Sequence, residues 1–169
     1  MSSTLFVDAI EPNLSSGVHI AGGTVQTVRN TLSTGTTINS TSFMFTNLEV
    51  TITPKFATSK ILLMFTPQVY IGGNYDHGMG FRIDRVISGS AAYIYQDTSP
   101  YDLYVYDGSS GTEHSWGGFR SLNYLDTPST LLPITYKLYA RSYRTDFANN
   151  TAISSNNAIS SVIAQEIAQ

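Results

Sequence analysis

At 169 residues, with 41% hydrophobic and 12% aromatic side chains, the chain is long enough for one domain with a sizeable core, and its Tyr, Phe, Ile and Leu content excludes disorder. Only 12% of residues are charged and the net charge is −3 without a basic cluster, which excludes the phosphate-neutralising face that a nucleic-acid partner needs. There is no cysteine, so disulfides and thiolate metal sites are excluded, and no stretch approaches the ~20 apolar residues of a membrane insertion.

Residues 1–24 read as an N-terminal arm. Thr4 to Ile10 has the makings of a short strand, Glu11-Pro12-Asn13 breaks it, and Ser15-Ser16-Gly17 is a turn. The opening lacks a basic n-region and a long apolar run, so it is not read as a secretory signal. An arm this short cannot bury Leu5, Phe6, Val7 and Ile10 by itself. They either pack back on the domain or dock the protein onto something larger.

Thr24 to Leu32 alternates and is taken as the first strand; Ser33 to Ser42 is a Ser/Thr/Gly/Asn loop. Leu48, Val50 and Ile52 point one way while Glu49, Thr51 and Thr53 point the other, which defines a second strand. The stretch around which the rest is organised runs from Lys60 to Ile71. Its first half, Ile61 to Phe65, is apolar at every position, the mark of a strand covered on both faces, with Pro67 and Gly72-Gly73 closing it off. One face is assigned to the second sheet and the other to another copy of the chain.

Met79 to Val86 alternates again, Gly89-Ser90 turns the chain, and Ala92 to Tyr95 follows. Thr98 to Glu113 is a long irregular stretch rich in Tyr and Asp. Ser115 to Asp126, which holds the sole tryptophan, Trp116, is strand-like. Ile134 to Arg141 places Ile134, Tyr136, Leu138 and Ala140 on one face, and Ser160 to Ala168 is the last strand. About eight strands without a capped 3.6-residue period define an all-β chain: an antiparallel β-sandwich of jelly-roll type over residues 25–169, with an extended N-terminal arm.

Three stretches carry a family resemblance. They are Ser3 to Asn13 with Gly17-Val18-His19-Ile20-Ala21-Gly22, Val50 to Leu62 with its Pro54-Lys55-Phe56-Ala57-Thr58-Ser59 centre, and the ending Ser161 to Ile167. Together they resemble virion proteins of marine and cyanobacterial tailed phages, of the tail-fibre-like or structural kind. The resemblance implies a homotrimer of jelly rolls like those of tumour necrosis factor or the complement head. It also implies a virion location and an attachment arm, with Leu5, Phe6, Val7 and Ile10 docking on other virion proteins of the tail or capsid. The chain has no heptads and no β-helical shaft, which keeps a capsid decoration or knob protein as the alternative to a tail fibre that contributes to host attachment.

The candidate chemistry is sparse. Asp76-His77 and Glu113-His114 set a carboxylate beside an imidazole, but sequence neighbours rarely converge, and the ordinary reading is a solvated loop. No G-x-S-x-G or H-E-x-x-H pattern occurs, and the few acids argue against a glycan depolymerase; the expectation is a non-enzymatic protein without cofactor or metal. Asp97, Asp102 and Asp107 are five apart, which is not an EF-hand spacing; a solvated loop is the plainer reading than a bound cation. Tyr93, Tyr95, Tyr101, Tyr104, Tyr106 and Tyr124 fit a Tyr-rich core and trimer seam, or a face for a host-surface glycan. Of these, Tyr101, Tyr104 and Tyr106, with Trp116, are the candidates for a host-facing loop.

Overall fold

A computed structural model describes residues 21–97, 102–106, 114–146 and 150–169. In chain order the strands are β1 (Thr24–Leu32), β2 (Thr36–Thr37), β3 (Met44–Ile52), β4 (Lys60–Thr66), β5 (Gln68–Gly73), β6 (His77–Ile87), β7 (Ser90–Gln96), β8 (Leu103–Val105), β9 (His114–Phe119), β10 (Leu122–Asp126), β11 (Ile134–Ser142), β12 (Asn150–Ile153) and β13 (Ser160–Ile167). The pairing is antiparallel throughout, in the orders β1-β13-β4-β10, β2-β12-β5-β9 and β3-β11-β6-β7, with β8 beside β6.

The first two orders describe one bent sheet, because each of its four strands is interrupted once. β4 and β5 are separated by Pro67 alone. A proline has no N–H for the ladder, yet the alternation passes through it: Ile61, Leu63 and Phe65 point inward, and so do Val69 and Ile71. The Pro67 carbonyl still accepts a hydrogen bond from the Arg120 amide (3.0 Å), which holds the joint of β9 and β10 against it. Pro67 is therefore a bend inside one strand and not its end. Likewise β8 takes the place beside β6 that β7 leaves. Eight strands result: β1/β2, β4/β5, β9/β10 and β12/β13 form the back sheet, and β3, β6, β7/β8 and β11 the front. The chain crosses between the sheets in the wrap of a jelly roll, which leaves few open edges.

The expected two-residue turn after β6 is shifted by one position. Ser88 and Gly89 are its central pair, both with positive φ (49° and 82°), the backbone that matches the twist of a tight hairpin. Two segments read as loop contain structure: β2, with Ile38 buried behind it, and β8 within the Tyr/Asp-rich stretch.

Leu48, Val50 and Ile52 of β3, Ile61, Leu63 and Phe65 of β4, Phe81 and Ile83 of β6, and Tyr136 and Leu138 of β11 interdigitate between the sheets and are all buried. Each such side chain contributes ~1.5–3 kcal/mol relative to exposure.

The sandwich has two distinct poles. At one, the described chain begins: the Gly22 amide donates to the Ala168 carbonyl (2.8 Å) and the Ala168 amide to the Gly23 carbonyl (2.9 Å). Residues 53–59, 88–89 and 127–133 turn at this same pole. Residues 39–43, 74–76 and 143–146 turn at the other, beside β8 and the start of β9.

Glu166 organises the first pole. It points into the sandwich and is wholly buried. Its carboxylate accepts from the Lys55 amide (2.9 Å), the Phe56 amide (3.1 Å) and Gln26 Nε2 (2.6 Å). The Pro54-Lys55-Phe56 stretch and the chain ending are thus in contact. Glu166→Ala leaves three part-buried donors without their acceptor, at ~1 kcal/mol each where water can reach them, and is expected to lower the thermal midpoint by roughly 6–12 °C in a circular-dichroism melt.

Candidate functional site

The two outer faces of the sandwich differ in chemistry. On the front sheet, β11 places Lys137, Tyr139 and Arg141 outward, β6 places Arg82 and Asp84, and β3 places Glu49. Lys137 pairs with Glu49 (3.4 Å) and lies 5.0 Å from the Phe45 ring. Arg82 stands over Tyr139 (4.7 Å) and Phe43 (5.0 Å) while gripping Asp84 through two bonds of 2.8 and 3.0 Å. Arg141 covers the other part of Phe43 (4.8 Å) and reaches Asp97 (3.2 Å). Each cation stands over an aromatic face and pairs with an acid, so this surface is complete in the single chain.

The back sheet is different. Its register sets Thr27, Gln165, Leu62 and Leu125 in one row, and Arg29, Ile163, Met64 and Asn123 in the next. Leu62, Met64, Ile163 and Leu125 therefore form a contiguous apolar block on the outer face. Leu125 is 48% exposed, and the others are half-buried only by one another and their neighbours. The cations at these register positions, Arg29 and Lys60, sit on an edge strand and at a strand end. Beyond the Pro67 bend the face continues with Tyr70 and Phe119, the latter 60% exposed. Tyr70 lies against Gly72 and Gly117, where a Cβ would meet its ring or hydroxyl at 3.1 and 3.7 Å. The doubly apolar run Ile61 to Phe65 thus splits into a core set and an outward set, the latter uncovered in the single chain.

The anchor residues Leu5, Phe6, Val7 and Ile10, together with Tyr101 and Asp107, lie outside the described residues. Tyr104 and Trp116 are in edge strands, β8 and β9, and not in loops. They belong to different sheets but to the same pole, with Tyr106, which is 77% exposed, following β8. The Tyr104 hydroxyl donates to Asp76 (2.6 Å), and this bond, with burial second, raises its pKa; its ring meets Tyr143 edge-on at 5.2 Å. The other tyrosines do not converge: Tyr93 is exposed on β7, and Tyr95 and Tyr124 line opposite sheets.

The Asp76–His77 neighbour pair does not close. Asp76 receives Tyr104, whereas His77 is buried with its Nδ1 on the Tyr75 carbonyl (2.7 Å). Glu113 lies outside the described residues. Asp97 is held by Arg141, and Asp102 accepts from the Tyr95 hydroxyl (2.9 Å) and the Phe81 amide (3.2 Å). Among the described residues no cluster of three or more potential metal ligands occurs, and no helix is long and apolar enough to cross a membrane.

One buried and one half-buried phenol make stability pH-dependent. Burial first, then the hydrogen bond to Asp102, pushes the Tyr95 hydroxyl from its ordinary value of 10.0 up to about 12. Burial and Asp126 raise Tyr136 further. In the unfolded chain both ionise near pH 10, so their contribution is complete below that pH and is lost as pH rises through the folded values. The thermal midpoint is expected to fall steadily above pH 10, and less steeply in Tyr136→Phe. A flat midpoint across that range would contradict the assignment.

No family model matches the chain, and no curated protein matches it. Among solved structures it is similar to that of the infectious bursal disease virus Gx strain, at 9% identity and a TM-score of 0.44 over 97% of this chain and 37% of that one. It is also similar to the VP2 subviral particle of infectious bursal disease virus, at 10% identity and a TM-score of 0.42 over 98% of this chain and 42% of that one. A third similarity is to latent PorU from Porphyromonas gingivalis, at 12% identity and a TM-score of 0.32 over 92% of this chain and 14% of that one. The chain thus spans well under half the length of these proteins. At such scores the likeness bears on no function.

Proposed function

We propose that this chain is a non-enzymatic structural protein of a tailed-phage virion, a homotrimer of the tail-fibre type that contributes to host attachment. The observation that carries the association is the outward block Leu62, Met64, Ile163 and Leu125 on the back sheet, set against a front sheet whose charges are all matched. Burying the exposed remainder of four large apolar side chains per subunit, about half of the ~1.5–3 kcal/mol that full burial of each contributes, favours association of the chains. The virion setting is supported by the resemblance of the opening, the Val50 to Leu62 stretch and the ending to tailed-phage structural proteins, and by the low charge of the surface. The two poles suit that role. The described chain begins at the pole where Gly22 is tied to Ala168, and the opposite pole carries exposed Tyr104, Tyr106 and Trp116, residue types that stack on sugars of a host surface.

Antibody labelling of intact particles in the electron microscope tests the location. Label confined to the tail supports the fibre reading. Label spread over the head moves the protein to the capsid-decoration alternative, and label absent from particles overturns the virion reading.

A further inference from the structure

Four arginines have an aspartate of their own: Arg82 with Asp84, Arg85 with Asp126, Arg141 with Asp97 and Arg144 with Asp146. Arg120 is an exception. It is half-buried, its Nε is shielded from solvent, and it has no hydrogen-bond or ion-pair partner for its side chain among the described residues. The Nε–H is withdrawn from water without an acceptor, which is unfavourable for a buried donor, while the two outer nitrogens of the guanidinium stay within reach of solvent or a ligand. Its backbone is fixed at the joint of β9 and β10 by the bond to Pro67, so the side chain starts from one defined place, at the edge between the two sheets.

That place is a cavity. Between the free edge of the back sheet at β10 and the front sheet at β6 and β7 lies a space of about 210 Å³ lined by Ile83, Tyr95, Arg120, Ser121, Leu122 and Asn123. At ~30 Å³ per water this holds about seven waters, or one sugar ring. Buried Ile83 and Leu122 supply apolar wall, and exposed Ser121 and Asn123 supply hydroxyl and amide groups at the open side. The Tyr95 hydroxyl gives its proton to Asp102 and stays neutral at working pH, which leaves its oxygen free to accept.

We infer that this cavity binds a carboxylate-bearing sugar, a hexuronate, with its carboxylate on Arg120 and its hydroxyls on Tyr95, Ser121 and Asn123. A planar guanidinium matches a carboxylate through two parallel bonds. Among the described residues the lining holds one cation, and Asp102 accepts the Tyr95 proton, so the site suits one negative charge and disfavours a dianion such as a phosphate monoester. The inference does not depend on the virion reading, because the cavity lies within a single chain.

The test is calorimetric titration of the intact protein at low salt with D-glucuronate and with D-glucose. Saturable binding of glucuronate, at least ~10-fold tighter than glucose, is expected, as a charge-assisted bidentate pair implies. Arg120→Gln removes the charge and Ser121→Phe fills the open side; each should weaken glucuronate at least ~10-fold with the thermal midpoint unchanged. Equal affinity for the two sugars, no saturable glucuronate binding, or variants that titrate like the parent would overturn the inference. So would a carboxylate from a second copy seated on Arg120 in the assembled protein.

Discussion

Replacing Met64 and Ile163 together with glutamate is expected to give a folded monomer. Both side chains point away from the core, and they face each other across β4 and β13. In the single chain their replacement touches no core contact, so the cost on the fold itself is limited to the lost cross-strand apolar contact and the repulsion of two directly opposed carboxylates, about 1–2 kcal/mol in all. In the assembly each change removes a buried apolar side chain and introduces a carboxylate without a partner, which adds several kcal/mol per subunit against association. Sedimentation should show the loss of the proposed assembly while the circular-dichroism melt stays cooperative. Leu63→Asp, one residue away, should behave differently: Leu63 faces the core and is wholly buried, so that change is expected to abolish folding rather than assembly alone. The pair of outcomes separates the two faces of one strand.

Asp126→Ala is expected to be the most damaging change at a polar position. Asp126 ends β10 pointing inward, where its carboxylate takes two bonds from Arg85 (2.9 and 3.1 Å) and one from the buried Tyr136 hydroxyl (2.7 Å). The three residues fasten the free edge of the back sheet to the front sheet. Removing the carboxylate leaves a half-buried guanidinium and a fully buried phenol unpaired, a loss of ~3–5 kcal/mol. For a chain of this size that lowers the thermal midpoint by roughly 10–15 °C. Asp126→Asn keeps an acceptor for Tyr136 but loses the charge, and should fall between the two. A midpoint within two degrees of the parent, roughly the shift from half a kcal/mol, would mean that the edges are held by packing alone.

Much of the sandwich was legible in residue alternation. β3 and β11 bury every second side chain along most of their length, so period-two reading placed them and their inward faces correctly, and β6 and β13 were placed as strands by the same reading. Pro67 misled that reading, because a proline normally ends a central strand; here the neighbouring strands bend with it and the ladder resumes one residue on. Ile38 sits alone among Ser, Thr and Asn and shows no period at all, so its burial comes from tertiary packing only.

The polar sites divide in the same way. Asp126 follows Leu122 and Tyr124, and Glu166 follows Val162 and Ala164, at inward positions of the same alternation. A carboxylate at such a position must be buried with partners, so both were in principle readable from the chain. Arg120 was not. Its cavity is made by residues near positions 83, 95 and 121 that come together only when the two sheets stack. The outward block is an intermediate case: the apolar run showed that both faces of β4 were apolar, but only the register with β10 and β13 shows which residues of other strands complete the patch.

The most direct test of the account is the mass of the full chain in solution, measured by sedimentation while the protein is diluted to nanomolar concentration. An assembly that persists on dilution is the result the apolar back face predicts, and a particle of three chains is the result the proposed homotrimer predicts. A compact, stable single chain, with Leu62, Met64, Ile163 and Leu125 left in water, would contradict it.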